Sequence, residues 1–232
     1  MSIDNEEITK FAKHSNQWWN ESGSFKMLHK INYLRVDYIT KIIKKIYNNS
    51  EIEILDVGCG GGILTEKLAE NSLYKVTGID PIENNINVAK THKQDLKIDY
   101  HATTIENFTT NKSFDVICIM EVLEHVSDLE SFLKSVLQHL KKNGILFFST
   151  INKNICSFIE VIILAEYILR FVPRKTHDWN KFIPPSTISK LLLKYDCKIE
   201  NLTGIRYRPL TDRWVLKESN IKSNYIGYAV KC

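Results

Sequence analysis

A glycine-rich turn is the first group of residues whose spacing suggests chemistry. It ends a short apolar segment at residues 51–57 and reads Asp56-Val57-Gly58-Cys59-Gly60-Gly61-Gly62. Closely spaced glycines let a backbone approach a ligand, and a helix expected over about residues 63–70 would present free N–H groups beside them. The spacing is not that of the dinucleotide fingerprint Gly-x-Gly-x-x-Gly. A tight turn with packing glycines is therefore the alternative.

Asp80 is placed to bind sugar hydroxyls next to this turn. It follows Asp56 in the chain and ends a second apolar segment at residues 75–80. At the tip of a neighbouring strand its carboxylate can accept two hydrogen bonds from a ribose diol, or it can cap the next helix. A phosphate-bearing ligand would favour a lysine or an anion-binding nest, whereas Asp56 beside the glycines suits a partly cationic ligand. S-Adenosylmethionine is such a ligand, so Asp56, Gly58, Gly60 and Asp80 are candidate binding residues.

The elements around these residues must bring several strand ends together. Strands are predicted at residues 51–57, 75–80, 98–102, 114–120 and 145–150, and helices at residues 63–70, 83–93 and 129–140. Such alternation with short connections predicts a parallel sheet covered on both faces. Right-handed crossovers then place the loops that bind ligands along one edge of the sheet.

The alternation is flanked by segments of a different kind. Helices are predicted at residues 4–22 and 29–47, and a helical insertion with a basic, proline-containing loop at residues 151–185. A helix at 186–195 and strands near 197–203 and 225–230 complete a seven-stranded sheet. We therefore predict one domain over residues 1–232, with N-terminal helices (1–50), a cofactor-binding half (51–150), the insertion (151–185) and a C-terminal part (186–232).

Composition excludes several classes of protein. The 232 residues are 44% apolar and 25% charged, as in soluble globular domains, and the net charge of +4 is too small to indicate nucleic-acid binding. The five cysteines are scattered singly, which predicts neither disulfides nor a zinc site and suits a reducing cytoplasm. The longest apolar stretch, residues 155–172, contains Glu160, Glu166 and Arg170, which argues against a membrane span.

Several motifs carry a resemblance to a known family. Asp56-x-Gly-x-Gly-x-Gly and residues 114–126 resemble the first motif and the fourth-strand signature of class I methyltransferases. Over nearly its whole length the chain resembles, more specifically, the ubiquinone-biosynthesis O-methyltransferase family. The additional motifs are Trp18-Trp19, residues 23–32 with Arg35, residues 148–154, residues 165–173, Thr176-His177-Asp178-Trp179, residues 181–183, Thr203-Gly204-Ile205 with Tyr207, Pro209-Leu210-Thr211, and Asn224-Tyr225. The departures at Met27, Arg174-Lys175 and Arg208 lie outside the cofactor motifs.

The resemblance implies a fold, a reaction and residue roles. The fold is the Rossmann-like three-layer sandwich of class I methyltransferases. The reactions are O-methylations of 2-polyprenyl-6-hydroxyphenol and of 3-demethylubiquinol. Arg35 would pair with the methionine carboxylate, Gly58 would allow backbone approach, Asp80 would hold the ribose, and Met120 would line the pocket. The rival hypotheses are methylation of another small phenol, or a non-catalytic S-adenosylmethionine-binding scaffold of a quinone-synthesis complex.

Glu121, Glu124 and His125 are the candidates for activating a phenol, whose pKa of about 10 makes it a poor nucleophile at neutral pH. Their spacing of three and four residues lets them share one helical face. Together they could bind Mg²⁺, which would lower the pKa of a chelated hydroxyl. Alternatively, His125 could act as a general base without metal, or Glu124 and His125 could only order the loop.

The insertion suggests how the chain could meet a lipid-soluble substrate. An apolar helix with Phe158, Ile159, Ile162 and Ile163 is followed by Arg170, Arg174 and Lys175. Apolar surface beside basic residues suits an anionic membrane interface, and the alternative is a lid over the active site. We therefore expect a cytoplasmic protein that binds the inner membrane peripherally through residues 155–175. Other ubiquinone-biosynthesis enzymes are further candidate partners, and nucleic acid is not.

Overall fold

The computed structural model describes residues 5–168, 178–218 and 220–232. The strands are β1 (Ile52–Val57), β2 (Tyr74–Asp80), β3 (Ile98–Ala102), β4 (Phe114–Met120), β5 (Leu140–Ile151), β6 (Cys197–Arg208), β7 (Arg213–Lys217) and β8 (Asn224–Lys231). The helices are α1 (Asn5–Ala12), α2 (Lys26–Tyr47), α3 (Ile63–Ala69), α4 (Glu83–His92), α5 (Leu129–His139), α6 (Ile155–Ser157) and α7 (Pro185–Leu193). Helix α6 is a single turn and continues as a π-helix over Phe158–Ile168.

The eight strands form one mostly parallel sheet. Its order is β3-β2-β1-β4-β5-β8-β6-β7, with parallel pairing from β3 to β5 and antiparallel pairing of β8 with both its neighbours. The chain order reverses between β1 and β4, where Asp56 pairs with Cys118 on one side and with Gly78 on the other. The carboxyl ends of β1, β2 and β4 therefore meet at the switch point where open α/β sheets bind ligands.

Hydrophobic side chains cover both faces of this sheet. Helices α5 and α7 pack on one face, and α2 and α3 pack on the other. Helix α5 shows why the sequence folds this way: Phe132, Leu133, Val136 and Leu137 recur at helical spacing and are fully or almost fully buried. The carboxylate of Asp128 accepts a hydrogen bond from the Ser131 backbone N–H (3.0 Å) and so caps the helix start.

The sheet has one strand more than the seven predicted. The additional strand β7 pairs with the end of β6, with Trp214 opposite Tyr207. Its apolar core of Trp214, Val215 and Leu216 is too short to stand out beside the flanking charges of Arg213 and Lys217. The prediction of a three-layer α/β sandwich is otherwise confirmed.

The N-terminal prediction was wrong in detail. Instead of a helix over residues 4–22, α1 ends at Ala12, and a single 3-10 turn at Ser15–Gln17 leads into an irregular segment. The side chains of Trp18 and Phe25 in this segment stack with ring centroids 3.9 Å apart. Burying this pair against the glycine-rich turn outweighs the local preference for a continuous helix.

Two predicted connections also differ from the structure. Strand β5 already begins at Leu140, and the expected turn at 142–144 is an irregularity inside it, where the pairing with β4 shifts from Leu140 to Ile145. In the insertion, the predicted α-helix is mainly a π-helix. The basic residues Arg170, Arg174 and Lys175 lie outside the described residues. Within the described parts of the chain, no helix is both long and apolar enough to cross a membrane.

We expect the buried face of α5 to dominate stability. Replacing Phe132 by alanine removes a ring that is 1% exposed and should lower the free energy of unfolding by about 3–5 kcal/mol. The matched substitution Leu193→Ala removes a side chain that is 57% exposed and should change it by less than about 0.5 kcal/mol. Urea denaturation measures both variants, and equal losses would contradict this assignment of the core.

Candidate active site

The glycine-rich turn after β1 is held against the end of β2. The backbone N–H groups of Gly58 and Cys59 both donate to the Ile79 carbonyl oxygen, at 2.8 and 3.0 Å. Gly58 and Gly60 have φ of +73° and +55°, which favours glycine. A Cβ at Gly60 would lie 2.3 Å from the Trp18 ring, and one at Gly58 would lie 2.5 Å from Val122. Side chains at Gly58 and Gly60 would collide with these neighbours, so the turn can pack this closely only because both residues are glycines.

Asp80 joins this turn to the helix that follows β2. One carboxylate oxygen, Oδ2, accepts from the Gly60 N–H at 3.0 Å, while Oδ1 accepts from the Ile82 N–H at 2.9 Å and the Asn85 amide at 3.0 Å. Burial raises the pKa of Asp80 to about 6, although these three hydrogen bonds act in the opposite direction. Asp80 thus ends its strand at the ligand edge of the sheet, as predicted.

Asn85 connects Asp80 to the N-terminal segment, defined as residues 5–25. Its side-chain oxygen accepts hydrogen bonds from the Ser15 hydroxyl (2.7 Å) and the Trp18 indole N–H (2.8 Å). Asn85 is almost fully buried. Sequence reasoning missed this residue, although its position on the buried face of α4, with Ile86 and Ala89, was a usable signal.

Asp56 and Arg35 lie on the other side of the turn. Asp56 is buried and accepts a 2.6 Å hydrogen bond from the Thr65 hydroxyl. Burial raises its pKa to about 6, with Thr65 and Arg35 acting against the rise. Arg35, on α2, is 4% exposed, and its Nη2 lies 2.9 Å from Glu121 Oε1. This distance is that of an ion pair, although its geometry is not that of a hydrogen bond. Arg35 Nε also has no hydrogen-bond partner.

The residues after β4 meet in one loop, as predicted, but each carboxylate already has a partner. Met120 ends the strand, and Glu121 follows with a φ of +56°. Such a backbone conformation is strained for a residue with a side chain. Glu121 Oε1 accepts from the Ser149 hydroxyl at 2.7 Å, and Glu124 Oε2 accepts from the Thr150 hydroxyl at 2.8 Å.

Glu124 is buried, and its burial and neighbouring charges change its pKa. It is 4% exposed, and burial, followed by the charge of Glu121, raises its pKa, whereas His125 acts against the rise. The His125 ring lies edge-on to Phe11, with centroids 5.0 Å apart. Of the two neighbouring charges, Glu121 therefore disfavours the ionised form of Glu124, whereas His125 favours it.

The predicted Mg²⁺ site is not formed by these side chains. Among the described residues, no group of three or more His, Cys, Asp or Glu side chains is arranged to hold a metal ion. Glu121 is directed at Arg35 and Ser149, whereas Glu124 is directed at Thr150. The binding of Mg²⁺ by Glu121, Glu124 and His125 therefore stays a prediction.

All the predicted cofactor residues except Gly60 line a single cavity of about 700 Å³, as do Glu121, Glu124 and His125. Its charged lining residues in the described part of the chain are five carboxylates and two guanidinium groups: Asp56, Asp80, Glu121, Glu124, Glu160, Arg35 and Arg206. Most other lining side chains are apolar. An excess of carboxylates in a low-dielectric cavity attracts a cationic ligand and repels a pyrophosphate.

The far end of the cavity contains an ion pair that sequence reasoning did not predict. Glu160 of the π-helix accepts from Arg206 Nη1 at 2.8 and 2.6 Å and from the Ser223 hydroxyl. These contacts join the insertion to β6 and to the start of β8. Four further lining residues carry buried polar atoms without hydrogen-bond partners: Asn32 Oδ1, Arg35 Nε and Nη2, Trp214 Nε1 and Asn224 Oδ1.

Comparison with known proteins agrees with this geometry. The methyltransferase domain family model matches residues 10–202. The ubiquinone biosynthesis O-methyltransferase of Rickettsia typhi (strain ATCC VR-144 / Wilmington) is 42% identical, covering 99% of this chain and 94% of its own length. That of Rickettsia canadensis (strain McKiel) is 43% identical, covering 98% and 97%.

A solved structure shows the same fold at much lower identity. Magnesium protoporphyrin IX methyltransferase from Synechocystis PCC 6803, with bound S-adenosylhomocysteine, superposes with a TM-score of 0.72 at 16% identity. The alignment covers 99% of this chain and all of that one. Identity above 40% over nearly the whole length, together with the matched domain, assigns the family. The chain belongs to the ubiquinone biosynthesis O-methyltransferases.

Proposed function

We propose that this chain transfers the methyl group of S-adenosylmethionine to phenolic hydroxyls of polyprenylated intermediates in ubiquinone biosynthesis. The substrates are 2-polyprenyl-6-hydroxyphenol and 3-demethylubiquinol. The single observation that carries this proposal is the cavity, which combines a carboxylate-rich end at the sheet edge with apolar walls. The names of the relatives at 42–43% identity support the choice of substrate.

The predicted cofactor residues suit the parts of S-adenosylmethionine. Asp80 Oδ2, which accepts one hydrogen bond within the protein, can accept another from a ribose hydroxyl, and Arg35 Nε, which has no hydrogen-bond partner, suits the methionine carboxylate. Gly58 lines the cavity beside them, and Met120 contributes an apolar wall. Asp56 adds negative charge that favours a sulfonium ion over an uncharged ligand.

The chemistry needs alignment and removal of one proton. When bound, S-adenosylmethionine supplies an electrophilic methyl group, whose C–S bond electrons stay on sulfur as the phenolic oxygen forms the new C–O bond. His125 accepts the phenolic proton, and the Glu124 carboxylate stabilises the resulting imidazolium. Glu121 holds Arg35 at the cofactor end of the cavity. The apolar lining excludes water, which would compete for the hydrogen bonds of the reacting groups.

A membrane-facing role for the insertion follows from its exposed side chains. Four of the seven exposed large hydrophobic residues in the described chain lie here: Ile155, Phe158, Ile159 and Ile163. Ile162, in contrast, packs against Ile151, Val161 and Phe182. We propose that the exposed residues contact the cytoplasmic face of the inner membrane and receive the prenylated substrate from it. Glu160, between them, ties this surface to β6 through Arg206.

Labelled-methyl transfer tests the substrate directly. The chain should methylate a short-chain 3-demethylubiquinol and a short-chain 2-polyprenyl-6-hydroxyphenol, and leave unrelated catechols nearly unmodified. Equal activity on unrelated catechols would favour the rival hypothesis of a general phenol methyltransferase. Binding of S-adenosylhomocysteine without transfer to any phenol would favour a scaffold.

Variants of the acidic loop test the base in the same assay. His125→Asn and Glu124→Gln should lower kcat by about 10²–10⁴-fold, because each removes part of the proton-accepting pair. Their affinity for S-adenosylhomocysteine should stay within about threefold. Chelation by EDTA is the companion measurement. Loss of activity that Mg²⁺ restores would mean that the loop rearranges around a cation, and the metal-free assignment would be wrong.

Replacing Asp80 should weaken cofactor binding in a pH-dependent way. Asp80→Asn should raise the Kd for S-adenosylhomocysteine about 10- to 100-fold at pH 7.5, because charge-assisted hydrogen bonds to the ribose are lost. With the pKa of Asp80 near 6, protonation below pH 6 removes the same carboxylate, so wild-type affinity should fall as pH falls through 6. The affinity of the Asp80→Asn variant should fall less steeply as the pH is lowered. Protonation of Asp56 should cause the fall that remains.

Calorimetry between pH 5 and 7.5 measures both effects. Asp99→Asn, at a carboxylate whose side chain is 69% exposed on β3, is the matched control and should leave Kd unchanged. A wild-type Kd that is constant over this range, or an Asp80→Asn variant within twofold of wild type, would contradict the role of Asp80.

The exposed face of the insertion should determine membrane binding. The double variant Ile159→Asp/Ile163→Asp places charges where we expect lipid and should reduce flotation with anionic vesicles several-fold. Leu193→Asp changes an equally prominent exposed leucine on α7 and should float like wild type. If the double variant floats as well as wild type, the insertion serves only as a lid.

A further inference from the structure

We infer that Asn32 binds the α-ammonium group of the cofactor's methionine portion through its side-chain oxygen, an inference that rests on the proposed cofactor. Asn32 lies on α2, is 7% exposed and lines the cavity. Its amide nitrogen donates to the Ile63 carbonyl oxygen at 2.9 Å, while its Oδ1 is buried without a partner.

The orientation of the Asn32 amide follows from its one hydrogen bond. A carbonyl oxygen such as that of Ile63 can only accept, so the amide nitrogen must face it and the oxygen must point elsewhere. A buried acceptor with no donor is unfavourable, and native structures seldom contain one without a reason. The unpartnered Oδ1 of Asn32 therefore indicates a hydrogen-bond donor that a ligand, rather than the protein, supplies.

The neighbours of Asn32 indicate what kind of donor this is. Arg35 is three residues further along α2, on the same helical face, and its Nε has no hydrogen-bond partner, while its Nη2 lies 2.9 Å from Glu121 Oε1. Ile63 begins α3 directly after the glycine-rich turn, which places Asn32 at the same end of the cavity. A lone acceptor beside a guanidinium edge is complementary to a zwitterion, with Arg35 for the carboxylate and Asn32 for the ammonium.

This arrangement also predicts selectivity. A ligand that keeps the carboxylate but lacks the amino group can still reach Arg35, yet it leaves Asn32 Oδ1 unpaired. Sites built to hydrogen-bond a ligand group reject analogues that lack it, because the buried partner is left unsatisfied. The chain should therefore discriminate between S-adenosylhomocysteine and its deaminated analogue, in which hydrogen replaces the α-amino group.

Calorimetry with these two ligands tests the inference. Wild type should bind S-adenosylhomocysteine at least about tenfold more tightly than the deaminated analogue, as expected for one charge-assisted hydrogen bond. In Asn32→Ala this ratio should fall to about twofold. In Asn32→Asp, which keeps an acceptor, the preference for the amino-bearing ligand should persist. Because each ratio compares two ligands on one preparation, partial unfolding of a variant cancels.

Two control variants separate ligand contact from structural support. Arg35→Met should weaken both ligands by a similar factor, because both carry the carboxylate. Asn152→Ala removes a comparable amide-to-carbonyl contact, to Ile221 at 2.8 Å, away from the cavity lining, and should leave both affinities unchanged.

Each outcome has a distinct meaning. If Asn32→Ala weakens both ligands equally and keeps the wild-type ratio, Asn32 supports the α2–α3 packing or a bound water, and the inference is overturned. If wild type binds neither ligand, the proposed cofactor is wrong, which is a separate failure.

Discussion

The buried carboxylate of Asp80 is the interaction on which the arrangement of the site depends. Its two oxygens accept from the turn after β1, from the start of α4 and from Asn85. Asn85 in turn accepts from Ser15 and Trp18 of the N-terminal segment. Asp80 and Asn85 together therefore link the N-terminal segment, the glycine-rich turn and the start of α4. Burial disfavours the ionised form, and these donors offset only part of that cost, since the pKa stays raised to about 6.

The excess of carboxylates in the cavity explains why a sulfonium methyl donor suits it and why the demethylated product can leave. The described lining residues include five carboxylates but only two guanidinium groups. Near a protein surface, opposite charges 4 Å apart attract with about 4 kcal/mol. Transfer of the methyl group converts a sulfonium into a neutral thioether, so this attraction is lost once the reaction has occurred. We therefore expect the excess of carboxylates to favour binding of the reactant over the product.

Much of the framework could be predicted because its signals are local. The apolar strands that end at Val57, Asp80 and Met120 are each one continuous stretch of sequence, and the glycines directly follow the first of them. Parallel topology then brings these strand ends together. The family resemblance added Arg35, which lies on a helix before the sheet and which no local pattern connects to the cofactor.

What could not be predicted depends on tertiary contacts. A continuous helix through Trp18 satisfies local propensity, yet the indole reaches Asn85 and covers Gly60 only if the helix ends earlier. Glu121, Glu124 and His125 are indeed neighbours, but spacing alone cannot show that Arg35 and Thr150 already engage the carboxylates. The Glu160–Arg206 ion pair likewise joins residues that are 46 positions apart.

Substrate choice must therefore come from the side chains that line the cavity rather than from the shared fold. A methyltransferase at 16% identity has the same fold over 99% of this chain, so the sheet itself cannot distinguish one substrate from another. The cavity's far wall is built from the π-helix, β6 and β7, which supply Val161, Arg206 and Trp214. The unpartnered atoms of Trp214 and Asn224 also lie there. Because buried polar groups discriminate more strongly than apolar contacts, differences in specificity within this family should arise at this wall rather than at the cofactor end.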